Sequence, residues 1–363
     1  MAKKPLTKNA GNVPVLCNTN ETQSHSIMNT SENHQPASFM TTEDFDALDK
    51  GFVCVLDHLS LIQATGDDRA GFLHNLLSND VEHLPASEAR WAALCSPKGR
   101  MLASLLVWKQ HESIFLQLDK SLQATIQKRL QMFVLRAKVK LVDVTDEIHQ
   151  IGLGGAQAEV ILKNYFSALP QQIMEKIDSE HGSLVHMGST AGQARYLWVL
   201  NQDSKSAVFE SVKTKLSLVG SHLWRYADIK AGIPRILTET QDQFVPQMVN
   251  FELIGGVNFK KGCYPGQEIV ARSQYLGKLK RRMAIAHIDD ANVSVGMEIF
   301  SLNDTSQPCG KIVNVEREST DRSICLVEMK VSELELGSIR LASPEGAPLV
   351  FEPLPYSIID VTE

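Results

Sequence analysis

The chain has no C-x-x-C pair: its six cysteines, at positions 17, 54, 95, 263, 309 and 325, stand far apart. That spacing argues against a structural zinc site or a disulfide framework and fits a reducing compartment. No apolar run approaches the roughly 20 residues that cross a bilayer as a helix. A basic surplus is missing as well. The net charge is −6, whereas a strong direct grip on RNA or DNA normally shows as an excess of lysine and arginine. The stretch 1–42 contains neither a continuous apolar segment nor an arginine, the first being Arg69. Neither a secretory signal nor a mitochondrial presequence is therefore expected. Its Asn-, Thr- and Ser-rich composition reads as a disordered extension in which Cys17 is incidental. These absences predict a cytoplasmic protein with no membrane contact, no metal site and no strong direct nucleic-acid binding.

What is present is ordinary globular material. With 363 residues, 43% hydrophobic and 21% charged, the chain can build two or three domains. From 43 to 147 the pattern reads as strand or strand pair (51–63), helix, hairpin around Ser96-Pro97-Lys98-Gly99, strand, helix, strand. Thr65-Gly66-Asp67-Asp68 looks like a capping box opening the first of those helices. From 148 to 285 the order strand, helix, strand, strand, helix recurs, which predicts two ferredoxin-like split βαβ units. Gly152-x-Gly154-Gly155 follows a strand and precedes a helix. It lacks the third glycine of a dinucleotide loop, so a tight strand-to-helix turn is expected. Residues 233–262 have little periodicity. After about 286, short strands alternate with turns such as Asn303-Asp304, the pattern of a small antiparallel barrel.

The most informative run is Lys260-Lys261-Gly262-Cys263-Tyr264-Pro265-Gly266-Gln267-Glu268-Ile269-Val270-Ala271-Arg272. Pro265 suits a first helical position, and Glu268 then falls in the first turn, where negative charge matches the dipole. Cys263 would sit just outside a helix N-terminus beside two ammonium groups, a setting that favours the thiolate. A buried structural cysteine is the competing reading.

Lys261-Gly262-Cys263-Tyr264-Pro265-Gly266-Gln267-Glu268 resembles the K-G-C-Y-x-G-Q-E signature of the YgfZ family, which is related to the T-protein (aminomethyltransferase) of the glycine-cleavage system. T-protein-like enzymes generally read K-G-D-F-x-G-[RK]-E here, so Cys263 and Gln267 favour the YgfZ branch. Gly232-Ile233-Pro234-Arg235, His222-Leu223-Trp224-Arg225 and Glu352-Pro353-Leu354-Pro355-Tyr356 resemble family sequence too, and the likeness runs from about Val53 to the end. It implies two α+β units and a C-terminal β-barrel around a central cavity.

The resemblance also implies tetrahydrofolate or another folate as ligand. Trp224, Arg235 and Tyr264 are the candidate binding residues, with Arg225 a further cation. Leu59 stands where some members carry a second tryptophan. Cys263, Lys261, Gln267 and Glu268 are the candidate reactive group. The implied function is an accessory role in iron–sulfur enzyme maintenance and, through it, tRNA methylthiolation, with transient iron–sulfur enzyme or assembly partners. A folate-dependent aminomethyl- or methyltransferase or demethylase, and a non-catalytic scaffold, stay open.

Overall fold

The computed structural model describes residues 39–202, 205–275, 279–334 and 338–358. The expected extension up to residue 38, including Cys17, lies outside the described residues. The last residues of that stretch are not loose, however. Thr42–Lys50 is a helix capped reciprocally: the Asp44 N–H donates to Thr41 Oγ1 (3.2 Å), and the Thr41 N–H donates to an Asp44 carboxylate oxygen (2.9 Å). This capping box was legible in Thr41-Thr42-Glu43-Asp44 and was missed. The one expected at Thr65–Asp68 does not form. Asp68 makes no side-chain cap to the Arg69–His74 helix, because its carboxylate instead accepts the Lys138 N–H at 2.7 Å.

Three sheets carry the rest. The first orders its strands Ala89–Cys95, Met101–Gln110, Ser113–Asp119, Leu59–Thr65, Lys140–Asp143, all antiparallel. The second runs Ser217–Leu218, Phe52–Val55, His149–Gly154, Gln193–Leu200, Gly182–Thr190, Lys176–Ser179. Its edge pair is parallel, Phe52 opposite Ser217, and the other pairings are antiparallel. Phe52–Val55 precedes the first sheet in sequence yet pairs within the second, so the sheets interleave along the chain and do not divide it at 147.

The third sheet orders Ile339–Leu341, Glu298–Ser301, Gly310–Arg317, Ser323–Lys330, Arg281–Ile288, Leu349–Glu352. A bridge from Arg340 to Pro348 ties its two end strands together. It is therefore a curled half-barrel, and it begins at Arg281, a little before the expected boundary.

Burial follows from these layers. Met101–Gln110 is buried at nine of its ten positions, which a strand achieves only when both faces are covered. The Ser221–Lys230 helix shares its apolar cluster, with Leu223, Trp224 and Ala227 at zero exposure. The second sheet packs Trp198, Phe166 and Leu162 on its far side. Gly152 and Gly154 are there for close approach: a methyl on Gly152 would stand 2.3 Å from Trp224, and one on Gly154 would stand 2.6 Å from Phe52. Gly155, at φ +85°, makes the tight turn. Residues 233–266 stay mostly irregular, with two short 3-10 turns, Thr238–Thr240 and Pro246–Val249.

Candidate functional site: an exposed thiol on a pinned loop

The cysteine loop is held from both ends by polar side chains of the first unit. Asn79 donates to the carbonyls of Gly255 (2.7 Å) and Trp91 (2.8 Å), and Ser78 Oγ donates to Gly256 O (2.6 Å). The Asn258 N–H donates to Ser78 O at 2.9 Å. Downstream, Gly266 at φ +79° approaches the Ser96–Gly99 turn so closely that a methyl would meet Ser96 O at 2.4 Å. The Tyr-Pro-Gly segment of the motif is therefore seated on the Ser-Pro-Lys-Gly hairpin turn, and no residue with a side chain fits at Gly266.

The helix begins later than expected. It spans Gln267–Tyr275, so Pro265 lies in the preceding turn and not at the first helical position. Gly266 is what moves the start. Its backbone, at φ +79°, turns the chain after Pro265, and the Gln267 N–H bonds to Tyr264 O at 3.1 Å. Glu268 does fall in the first turn and is exposed; Gln267 is half-buried. Cys263 stands three residues before Gly266 in the chain.

Cys263 itself is free and exposed. The other described cysteines are buried. Burial pushes the thiols of Cys54 and Cys95 up to about 12 and that of Cys309 to about 11. Accessibility separates Cys263 from every one of them.

Lys261 was expected to hold the thiolate. Its ammonium donates to the carbonyls of His74 and Leu77, the latter at 2.8 Å, and lies 4.9 Å above the Tyr264 ring. Burial lowers it to about 8, opposed by the nearby Asp80 carboxylate and the Cys263 sulfur. Its first task is thus to clamp the loop onto the end of the Arg69–His74 helix, with Cys263 as an electrostatic neighbour. Tyr264, expected to touch the ligand, is in the core at 6% exposure.

Trp224 and Arg235 also lie inside. Trp224 has no exposed surface: Gly152 closes one approach, and the Arg195 guanidinium lies 4.7 Å from its ring. Arg235 donates twice to Asp228 (both 3.1 Å) and stacks 5.0 Å over Trp91. Arg195 donates to the same Asp228 at 3.0 Å. Two buried guanidiniums therefore share one carboxylate. Arg225, the further cation, is committed to Glu316. Arg235, Arg225 and Asp228 line a small cavity of about 130 Å³ together with His58 and Asp119. Leu59 is buried at 1% exposure and presents no face to a ligand.

The large opening is elsewhere. A cleft of about 1090 Å³ lies beside the cysteine loop, lined by Asp80 and His83, by Trp91 of the first sheet, by Ile173 next to the second, and by Lys260 and Tyr275 of the motif segment. Sequence reading missed this group. Its only local signal was two aromatics, Phe259 and Tyr275, flanking the motif; their rings pack edge to face at 5.9 Å.

This three-sheet architecture is that of glycine-cleavage aminomethyltransferases. The crystal structure of the glycine cleavage system aminomethyltransferase T from Bartonella henselae matches with a TM-score of 0.71, covering 86% of this chain and 88% of that one at 16% identity. The GCVT N-terminal domain model matches residues 31–211. Within that class, the sequence relatives are narrower. The tRNA-modifying protein YgfZ of Klebsiella pneumoniae is 28% identical over 310 residues, 84% of this chain and 93% of that protein. That of Hamiltonella defensa is 31% identical over 233 residues, 64% of this chain and 68% of that protein. The chain belongs to the YgfZ family. Among the described residues no helix is long and apolar enough to cross a membrane.

Proposed function

We propose that the protein is a folate-binding accessory protein of iron–sulfur enzyme maintenance, supporting tRNA methylthiolation through Cys263. The observation that carries this reading is the accessible thiol on a pinned loop beside a cleft of about 1090 Å³. A cleft of that size lies just above the roughly 300–1,000 Å³ of typical small-ligand sites. The residues suit a folate. The exposed Tyr275 and the half-buried Phe259 offer aromatic surface, Asn258 offers a polar edge, and Lys260 and Arg90 offer cations for a carboxylate tail. In this reading the two α+β units act as a pseudo-repeat whose seam, where Ala89 bonds Met174 at 2.8 Å, forms one wall of the ligand cavity. Trp224 and Tyr264 serve as packing behind that wall, and Arg235 orders Trp91 by lying on its ring. Gln267 and Glu268 hold and solvate the start of the following helix.

The thiol would act in exchange with a partner disulfide or persulfide, or as a transient thiolate ligand to iron. Single-cysteine chemistry does not hold a cluster permanently, which takes four ligands. The test is complementation of cells lacking the native protein with Cys263→Ala and Cys263→Ser, scored by tRNA methylthiolation and iron–sulfur enzyme activity. Loss with both variants is expected. Full restoration by both would overturn the thiol role and leave a scaffold.

A further inference from the structure

We infer that His74, oriented by Asp80, is the proton acceptor that activates the Cys263 thiol. The inference rests on the thiol reading above and adds a positioning pair to it. His74 is 9% exposed at the end of the Arg69–His74 helix. Its Nδ1 lies 3.0 Å from Asp80 Oδ1. At that distance from a carboxylate oxygen, Nδ1 must carry the proton, and the Glu82 N–H, 3.5 Å away, is peripheral. The lone pair is then on Nε2.

Nε2 faces the cysteine loop: a methyl placed on Gly262 would lie 3.7 Å from it. Gly262 puts no side chain between the ring and the loop, and Cys263 is the next residue along it. Lys261 fixes this register because its ammonium bonds the carbonyl of His74 itself. The loop is therefore tied to the histidine whose ring faces it.

The groups around the pair set its charge. Asp80 receives the His83 N–H at 3.0 Å and the His83 ring at 3.0 Å, and Arg90 donates to the Asp80 carbonyl. Burial works against the Asp80 anion, but those bonds hold its carboxyl below the usual range. Lys261 approaches from the loop, and Lys109 bonds Glu82 O behind. A lasting anion at Asp80 keeps Nδ1 protonated and stabilises the imidazolium that forms when Nε2 takes a proton.

The step balances without an added oxidant when the partner is a disulfide. The Sγ proton passes to His74 Nε2, and the thiolate attacks one partner sulfur. A new S–S bond forms as the old one breaks, and the departing thiolate takes the proton from His74. The partner loses one disulfide and gains one thiol, and Cys263 is left in a mixed disulfide.

The experiment is the rate of reaction of the full chain with the disulfide reagent dithionitrobenzoate across pH, in a Cys17→Ser background. With His74 as base, the rate at about pH 7 should fall about tenfold in His74→Gln, because an unassisted thiol with pKa ~8.5 is only a few per cent ionised there. At about pH 10, where any such thiol is ionised, variant and wild-type rates should converge. Asp80→Asn should shift the profile in the same direction with His74 intact, and so decides the matter if His74→Gln fails to fold. Identical pH profiles in the wild type and the folded variants would overturn the assignment. That outcome leaves the cellular role of Cys263 standing. A Cys263→Ser chain that restores methylthiolation sinks the cellular role and leaves the rate comparison valid.

Discussion

Cys263 was expected as the reactive group of a ligand site and Trp224 as one of its binding residues, and the structure puts them in opposite environments. The thiol stands in solvent on a loop anchored by side-chain donors to backbone carbonyls, from Ser78 and Asn79 to Gly256 and Gly255 and from Lys261 to Leu77. The indole has zero exposure, in an interior where Arg195, Asp228 and Arg235 are themselves 6% exposed or less. The rim leaves its thiol accessible. The interior is built from buried ionic groups, where each partner is essential to the next. The comparison teaches that one family signature can mark two kinds of residue. Some do chemistry in the open, and others hold the wall that the chemistry leans on.

Removing the shared acid should separate the two regions most sharply. Asp228→Ala would leave two buried guanidiniums without their carboxylate and should cost about 3–5 kcal/mol, read by urea unfolding, with Cys263 still accessible in the folded fraction. Gly152→Ala comes next: the added methyl meets Trp224 at 2.3 Å, and overpacking of this kind costs about 1–3 kcal/mol, read as a fall in thermal midpoint. A rim change should act locally. Lys261→Met loses two bonds to carbonyls, worth about 1–3 kcal/mol at most, and should speed amide exchange in residues 258–266 more than in the sheets.

The same variant has a pH signature. Lys261 is lowered from 10.5 to about 8 on folding. Between those values the unfolded chain binds more protons than the folded one, so this lysine makes stability rise with pH across that window. Lys261→Met should flatten the rise. An unchanged slope would place the lowered group elsewhere. The smallest effect is expected for Cys263→Ser, an exposed substitution that should move stability by no more than about 0.5 kcal/mol.

Much of this was legible in the chain. The motif located the exposed thiol, because two lysines and two glycines around a cysteine do not make a core segment. Strand rhythm placed Trp91–Cys95, Arg100–Trp108 and Ile114–Leu118 nearly where they are, and the turn-rich C-terminal stretch announced the curled sheet. The misses share one physical cause. Trp224 lies on a helix whose sequence says nothing about the glycines of a strand 70 residues away, yet Gly152 is what lets it sink. Phe52–Val55 has the same apolar look as the strand that follows it, and only pairing with Gly154 and Ser217 sends it to the other sheet. The helix start was misjudged because Pro265 gave a local signal that the left-handed Gly266 overrode. Asp68 looked like a cap until Lys138, distant in sequence, claimed its carboxylate. Partners far along the chain decide burial and capping, and local pattern cannot show them.

The most direct test of the central claim joins the thiol to the cleft. Alkylation of Cys263 by iodoacetamide, followed by mass spectrometry in the Cys17→Ser chain, should be slowed several-fold by saturating tetrahydrofolate and unaffected by a compound of similar charge that lacks the pterin. If tetrahydrofolate binds and the alkylation rate of Cys263 does not change, the thiol and the ligand do not share a site.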